Sequence, residues 1–482
     1  MRDKILQLEE KARLLEPNAG TRKAWTGAVN EYAESFLSEI ETLKAWNETT
    51  AKGEGILKLP IVDHPRKIED LLAVIEKEVD YPALNPASGG HLAYIPGGGL
   101  FPTALGDYLA DITNRYAGIF FASPGAVRIE NLLIRWMCEM VGFPKTALGN
   151  LTSGGSIATL VAVTTARDAK KIKARDIENS VIYLTEQAHH SVQKAIRIAG
   201  LGEAKISYIP ITKKFRMDEV ALVREIEQDI VAGFKPFMIV ASAGTTDTGV
   251  IDPLTAIADL AEAHQMWFHV DAAYGGFFLL ADEVKANFKG IERADSVTID
   301  PHKGLFLAYG TGAILIKNVE ALQNTHYYLA NYMQDVVKEV EEPSPADLSP
   351  ELTKHFRGMR LWLPLQLFGL APFKAALSEK IWLTRYFYTE IQKRGFEVGP
   401  MPELSVMIYR YVPKSGDANA FNAKIVEAVR KDGRVYLSST SIKGVFWIRL
   451  AVLSFRSHLR TIDLCLEVLE QSVAKLSHTT NV

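Results

Sequence analysis

A chain of 482 residues is too long for one compact core and implies two or three units. With 48% hydrophobic and 23% charged residues, a net charge of −3 and no basic block, its composition is that of an ordinary globular protein, so neither nucleic acid nor an anionic membrane surface is an expected partner. The two cysteines, Cys138 and Cys465, lack metal-ligand spacing and suit buried thiols in a reducing compartment, which points to the cytoplasm.

The N-terminus, Met1-Arg2-Asp3-Lys4, opens a charged amphipathic pattern rather than an apolar signal core, and no apolar run is long enough to cross a bilayer. Apolar residues recur at helical spacing over 4–15, 21–46 and 66–79, with breaks at Pro17, Gly20, Pro60 and Pro65. Such helices bury little against themselves, so residues 1–85 are predicted to pack on the rest of the chain or on a second chain. From 86 to 375, short β-branched runs at 181–184, 206–209, 237–241, 267–270, 296–299 and 313–316 are separated by helical stretches. This alternation predicts an α/β domain with a mainly parallel sheet covered by helices, whose ligands bind beyond the carboxyl ends of the strands. Residues 337–350, rich in Pro and Glu, are predicted to form a mobile loop. Residues 376–482 read as a small α+β domain, with strands at 405–411, 435–438 and 445–450 and helices at 418–430 and 461–476.

Motifs fall at the ends of these runs. Thr152-Ser153-Gly154-Gly155-Ser156 precedes an apolar helical stretch, where small residues and a helix start let amides approach a phosphate; a plain N-cap is the alternative. Gln187-Ala188-His189-His190-Ser191 follows the run at 181–184, and the histidine pair is not read as a metal site. Ala243-Gly244-Thr245-Thr246 is a strand-end turn. The most informative pair comes last: a strand ending in Asp271 and, about thirty residues on, Asp300-Pro301-His302-Lys303. Pyridoxal phosphate needs an amine to hold its aldehyde as a Schiff base and a carboxylate to keep its ring nitrogen protonated, and Lys303 and Asp271 suit those two roles.

On these motifs the chain resembles the group II pyridoxal-phosphate decarboxylases, closest to the aromatic-L-amino-acid branch, from about Leu57 to the C-terminus. The resemblance implies a fold-type I architecture and a homodimer with active sites at the interface, residues 1–85 wrapping the partner. It implies that Gly155 and Ser156 cup the phosphate, His189 stacks on the ring, Thr246 lies near the ring edge, Ala273 packs beneath it, and His302 contacts phosphate or substrate. Tyr94 and Ile95 match a substrate-pocket loop, or are core residues. Phe120 and Phe121 match a segment given to the partner's pocket. Arg449 matches a position suited to the substrate carboxylate, and Arg449 and Arg357 are equally readable as structural ion pairs. The implied reaction is decarboxylation of an L-amino acid, aromatic or similarly bulky, to its amine.

One departure bears on that reaction. Many relatives carry a loop tyrosine linked to protonation of the α-carbon, whereas residues 337–350 contain none, and Tyr332 precedes the loop by several residues. The alternative is therefore a decarboxylation-dependent oxidative deaminase, which yields an aldehyde.

Overall fold

The computed structural model describes residues 1–50, 52–327 and 341–479. At the N-terminus, α1 (Arg2–Ala12) and α2 (Ala19–Glu39) contain no buried residue. Asn18 caps α2 by accepting the Thr21 amide at 3.0 Å. The helix predicted over 21–46 stops at Glu39, whose carbonyl instead takes the Thr42 and Leu43 amides in a turn. The chain then enters β1 (Trp46–Asn47), which pairs with β2 (Ala83–Leu84) on either side of α3 (Ile68–Ile75).

Two helices lead into the main sheet. In α4 (Phe101–Thr113) and α5 (Pro124–Met140) a proline stands in the first turn, where no N–H partner is lost. The sheet comprises β3 (Leu148–Thr152), β4 (Ser180–Leu184), β5 (Lys205–Tyr208), β6 (Lys235–Ser242), β7 (Trp267–Asp271), β8 (Ser296–Ile299) and β9 (Gly312–Ile316), in the order β3-β9-β8-β7-β6-β4-β5. The six strands expected from β-branched runs are all present. The seventh, β3, was hidden because Gly149 and Asn150 dilute its apolar pattern; Gly149 is needed there, since a Cβ would stand 1.8 Å from the Ile314 carbonyl. Neighbours run parallel from β8 through β7, β6 and β4 to β5, while β9 is antiparallel to both β8 and β3. The start of β9 therefore lies at the same edge as the carboxyl ends of the other strands. Between the strands run α6 (Gly155–Ala169), α7 (Ser191–Ile198), α8 (Glu219–Val231), α9 (Leu254–Ala263) and the single turn α10 (Pro301–Gly304). Central strands β4, β7 and β8 are buried along their length apart from Asp271, and they bury Ser180, His269, Ser296 and Thr298 together with their apolar residues.

After α11 (Val319–His326), residues 341–350 differ from the expected mobile loop. Glu342 pairs with Arg135 at 2.6 Å, the Pro343 and Pro345 carbonyls take Asn131 and Asn150, and Leu348 is fully buried. Residues 337–340 and Tyr332 lie outside the described residues.

Beyond α12 (Gly358–Phe368), the long α13 (Ala371–Lys393) carries Phe373, Leu377 and Ile381 in the core of the large sheet, then Leu383, Phe387 and Ile391 in a second core. The expected boundary at 375/376 falls within this helix. The second core lies under an antiparallel sheet of β10 (Phe396–Val398), β11 (Val406–Tyr411), β12 (Ser438–Ile442) and β13 (Val445–Ala451), with α14 (Ala418–Asp432) and α15 (Leu459–Thr479). The strand expected at 435–438 lies instead at β12. Lys443 and Gly444, both at positive φ, form the two-residue turn that joins it to β13.

Candidate active site

The loops at this one edge of the sheet enclose a cavity of about 370 Å³. Gly155 and Ser156 reach it after β3, His189 after β4, Thr246 after β6, Asp271 and Ala273 from the end of β7, and His302 and Lys303 after β8. Eight residues singled out in the sequence thus line one cavity, as expected of ligand sites beyond strand carboxyl ends. Asp300 and Tyr309 line it too, although neither carried an expected role. Asp300 was legible, three residues before Lys303 on what becomes a helical turn; Tyr309 gave no local signal.

Lys303 sits on α10, which starts at Asp300 with Pro301 in its first turn. Its ammonium is 2.9 Å from Asp300 Oδ2. Burial disfavours charge on Lys303, yet Asp300 and Asp271 together outweigh it and raise the pKa above the ordinary lysine value. The other Asp300 oxygen is buried without a hydrogen bond among the described residues. His302 Nδ1 donates to the Thr311 carbonyl at 2.6 Å, which leaves Nε2 as the acceptor of the neutral ring. Burial lowers the His302 pKa, against the pull of Asp300.

Across the cavity, Asp271 Oδ1 accepts the Ala273 amide at 3.1 Å. His189 Nδ1 accepts the Ser191 amide at 3.2 Å and lies 2.8 Å from Ser191 Oγ, so the proton of the neutral imidazole is on Nε2. Burial lowers the His189 pKa, with Asp271 opposing.

The residues after β3 fit a phosphate group. Gly155 and Ser156 open α6, where the first amides have no carbonyl behind them to bond. A Cβ at Gly155 would stand 2.9 Å from Asp300 Oδ2 and 3.4 Å from Ala273 Cβ, so this approach needs glycine. Lys354, fully buried, secures the strand behind: it pairs with Glu130 at 2.9 Å and donates to Asn150 Oδ1 and the Leu151 carbonyl.

The four residues expected to meet substrate do not line this cavity. Ile95 is buried in the large core, while Tyr94 joins His91 and Tyr436 in an aromatic group, its hydroxyl 3.3 Å from that of Tyr436. Phe120 lies under the Arg128 guanidinium, with Phe121 exposed beside it. The Arg449 guanidinium is buried and donates to the carbonyls of Thr246 and Asp247 and, at 2.7 Å, to Ser438 Oγ. Arg357 is held by both oxygens of Glu351, each at 3.0 Å.

An amine and a carboxylate facing one cavity at the ends of neighbouring strands, beside a glycine-lined helix start, define a pyridoxal-phosphate enzyme built on an open α/β sheet. Residues 56–412 match the pyridoxal-dependent decarboxylase conserved domain. An aromatic-L-amino-acid decarboxylase of Bacillus atrophaeus is 36% identical over 76% of this chain and 77% of its own length. A phenylacetaldehyde synthase of Petunia hybrida is 29% identical over 80% and 81%. Among solved structures, Oryza sativa TDC with PLP and tryptamine superposes with a TM-score of 0.89 at 23% identity, covering 96% of this chain and 99% of that one. The chain belongs to the pyridoxal-dependent decarboxylase family. It is a pyridoxal-phosphate-dependent carboxy-lyase acting on an amino acid. No helix among the described residues is long and apolar enough to cross a membrane.

Proposed function

We propose that this enzyme removes the carboxyl group of a bulky, aromatic L-amino acid to give the amine, working as a cytoplasmic homodimer. The observation that carries this reading is the meeting of Lys303, Asp271 and His189 in one cavity. When bound, the cofactor supplies an electron-accepting ring that stabilises charge left on the substrate α-carbon. Lys303 would hold the cofactor through its amine. Asp271 would keep the ring nitrogen protonated, His189 and Ala273 would hold the ring, Thr246 would stand near it, and Gly155, Ser156 and His302 would hold the phosphate. Tyr94, Ile95, Phe120 and Arg449 remain the proposed substrate-side residues, with Phe120 acting in the partner's site.

Support for an aromatic substrate comes from the activity named for the 36% identical bacterial relative. Support for a dimer comes from the exposed apolar side chains of the N-terminal segment, among them Leu14, Leu15, Leu57 and Ile61, and from exposed Phe121. Two buried, unpaired cysteines support the cytoplasm.

The test is to incubate pyridoxal-phosphate-loaded protein with a panel of L-amino acids, following carbon dioxide, amine, aldehyde and oxygen in the same samples. Amine equal to carbon dioxide without oxygen uptake supports simple decarboxylation. Aldehyde with matching oxygen uptake supports the second reading, oxidative deamination, which is favoured by the lack of a tyrosine in 337–350 and by the phenylacetaldehyde synthase relative. Lys303→Ala should lose borohydride-trapped cofactor and, with the acid–base group gone, roughly a thousandfold or more in rate; the same reducible lysine adduct in that variant would sink the assignment. A stable monomer with full activity in sizing and assay would refute the dimer.

A further inference from the structure

We propose that Tyr309 is the proton donor of this site, supplying the hydrogen that replaces the departing carboxyl group on the substrate α-carbon. This inference rests on the decarboxylase reading and names a catalytic group that the sequence motifs do not contain.

The chemistry sets the requirement. Loss of carbon dioxide breaks the bond between the α-carbon and the carboxyl carbon and leaves an electron pair on the α-carbon. To give an amine, that pair must take a proton from a group that carries one at neutral pH and is free to give it. In the proposed step the phenol O–H bond breaks, a C–H bond forms, and the phenolate regains a proton from solvent.

Several candidates in the cavity wall are already engaged. The Tyr274 hydroxyl accepts the Ser405 amide at 2.8 Å and lies 2.8 Å from Ser405 Oγ, deep in the core. The Thr245 hydroxyl is bonded to that of Thr248 at 2.8 Å. His302 spends Nδ1 on the Thr311 carbonyl, and the Lys303 ammonium is held by Asp300.

Tyr309 differs in three respects. Its ring is positioned: it meets the edge of His302 with centroids 5.9 Å apart, and its own carbonyl accepts Arg360 Nη1 at 3.0 Å. Its hydroxyl nevertheless makes no hydrogen bond among the described residues. The side is open as well as lined, since Tyr309 is 56% exposed, which gives the phenolate a route to solvent. Tyr309 is also common to the wall of a neighbouring cavity of about 380 Å³ with Phe36, Leu84, Pro86 and Leu307, so a group lodged in either space lies against this ring. Burial raises the phenol pKa while the charge of Lys303 pulls it down, and the balance keeps the proton in place at neutral pH.

Tyr309→Phe keeps the ring and its contact with His302 and removes only the hydroxyl. Two measurements are made on it. The first needs no turnover: a phenolate difference titration of cofactor-free wild type against Tyr309→Phe isolates one tyrosine, whose midpoint should move to higher pH when Lys303 is replaced by Met. The second compares carbon dioxide, amine, aldehyde and oxygen for the two loaded proteins, with cofactor content read from absorbance. The expected result is cofactor affinity within twofold of wild type, with amine formed per carbon dioxide reduced at least tenfold and aldehyde and oxygen uptake raised. Unchanged amine per carbon dioxide overturns the proposal. Loss of cofactor by Tyr309→Phe, with normal amine yield at saturating cofactor, also overturns it and makes the phenol an anchor. If wild type releases no carbon dioxide from any amino acid, the decarboxylase reading falls and this inference with it; release with unaltered partition removes the inference alone.

Discussion

Lys303 Nζ and Asp300 Oδ2 lie 2.9 Å apart, donor and acceptor on one turn of helix. The lysine must lose a proton before it can attack an aldehyde, and Asp300 opposes that loss. Asp300→Asn should therefore lower the lysine pKa and speed covalent capture of pyridoxal phosphate by cofactor-free protein at pH 7, by roughly tenfold for each pKa unit removed. Stopped-flow absorbance across pH reads this directly. An unchanged capture rate and pH profile would mean that the pair does not govern the amine.

Arg449 offers a choice between two roles. If its guanidinium serves the loop at Thr246 and Asp247, Arg449→Lys should weaken cofactor retention and lower stability by about 2–3 kcal/mol, the scale of charged hydrogen bonds lost. KM for the amino acid would then change little once cofactor is saturating. A rise in KM alone, with stability and cofactor affinity preserved, would instead assign Arg449 to the substrate carboxylate.

Glu130 and Lys354 form an ion pair sealed from water. Glu130→Gln would leave the ammonium uncompensated and should cost about 3–5 kcal/mol in chemical denaturation. Because Lys354 also grips Asn150 and Leu151, the loss should weaken phosphate binding by the residues after β3. Full stability in that variant would show that Asn150 and Leu151 alone satisfy the lysine.

His91 and His269 are buried, and burial lowers each pKa to about 4. In the unfolded chain both titrate near 6.5, so between about pH 6.5 and 4 the unfolded state binds more protons and stability falls as pH falls. Each should cost up to about 3 kcal/mol by pH 4. Thermal midpoints from pH 7 to 4 should decline, and His91→Gln should flatten the slope. A level wild-type profile over that window contradicts this account.

The legibility of the chain divided along physical lines. Strands such as β4 and β8 could be read because their buried positions favour β-branched and apolar residues, Ser-Val-Ile-Tyr-Leu in one and Ser-Val-Thr-Ile in the other, whereas β12, Ser-Ser-Thr-Ser-Ile, is half exposed and set by a turn with positive φ at Lys443 and Gly444. The cofactor-side residues were readable because a parallel sheet delivers every strand end to one edge. Tyr309 was not, since it arrives there only because β9 reverses direction, and β-branched runs carry no record of strand polarity. Arg449 was read as a partner of the substrate carboxylate or of a structural ion pair, but the partners it has here include backbone carbonyls about two hundred residues earlier in the chain, which local pattern does not reveal.

The helix α13 has a mechanical consequence. Its first half is built into one core and its second half into the other, without a break between Ile381 and Leu383. The two cores are splinted by this helix rather than hinged, so neither can melt without fraying a helix that the other needs. Calorimetry should accordingly record one cooperative endotherm for both, and limited proteolysis should release no durable fragment beginning near residue 376.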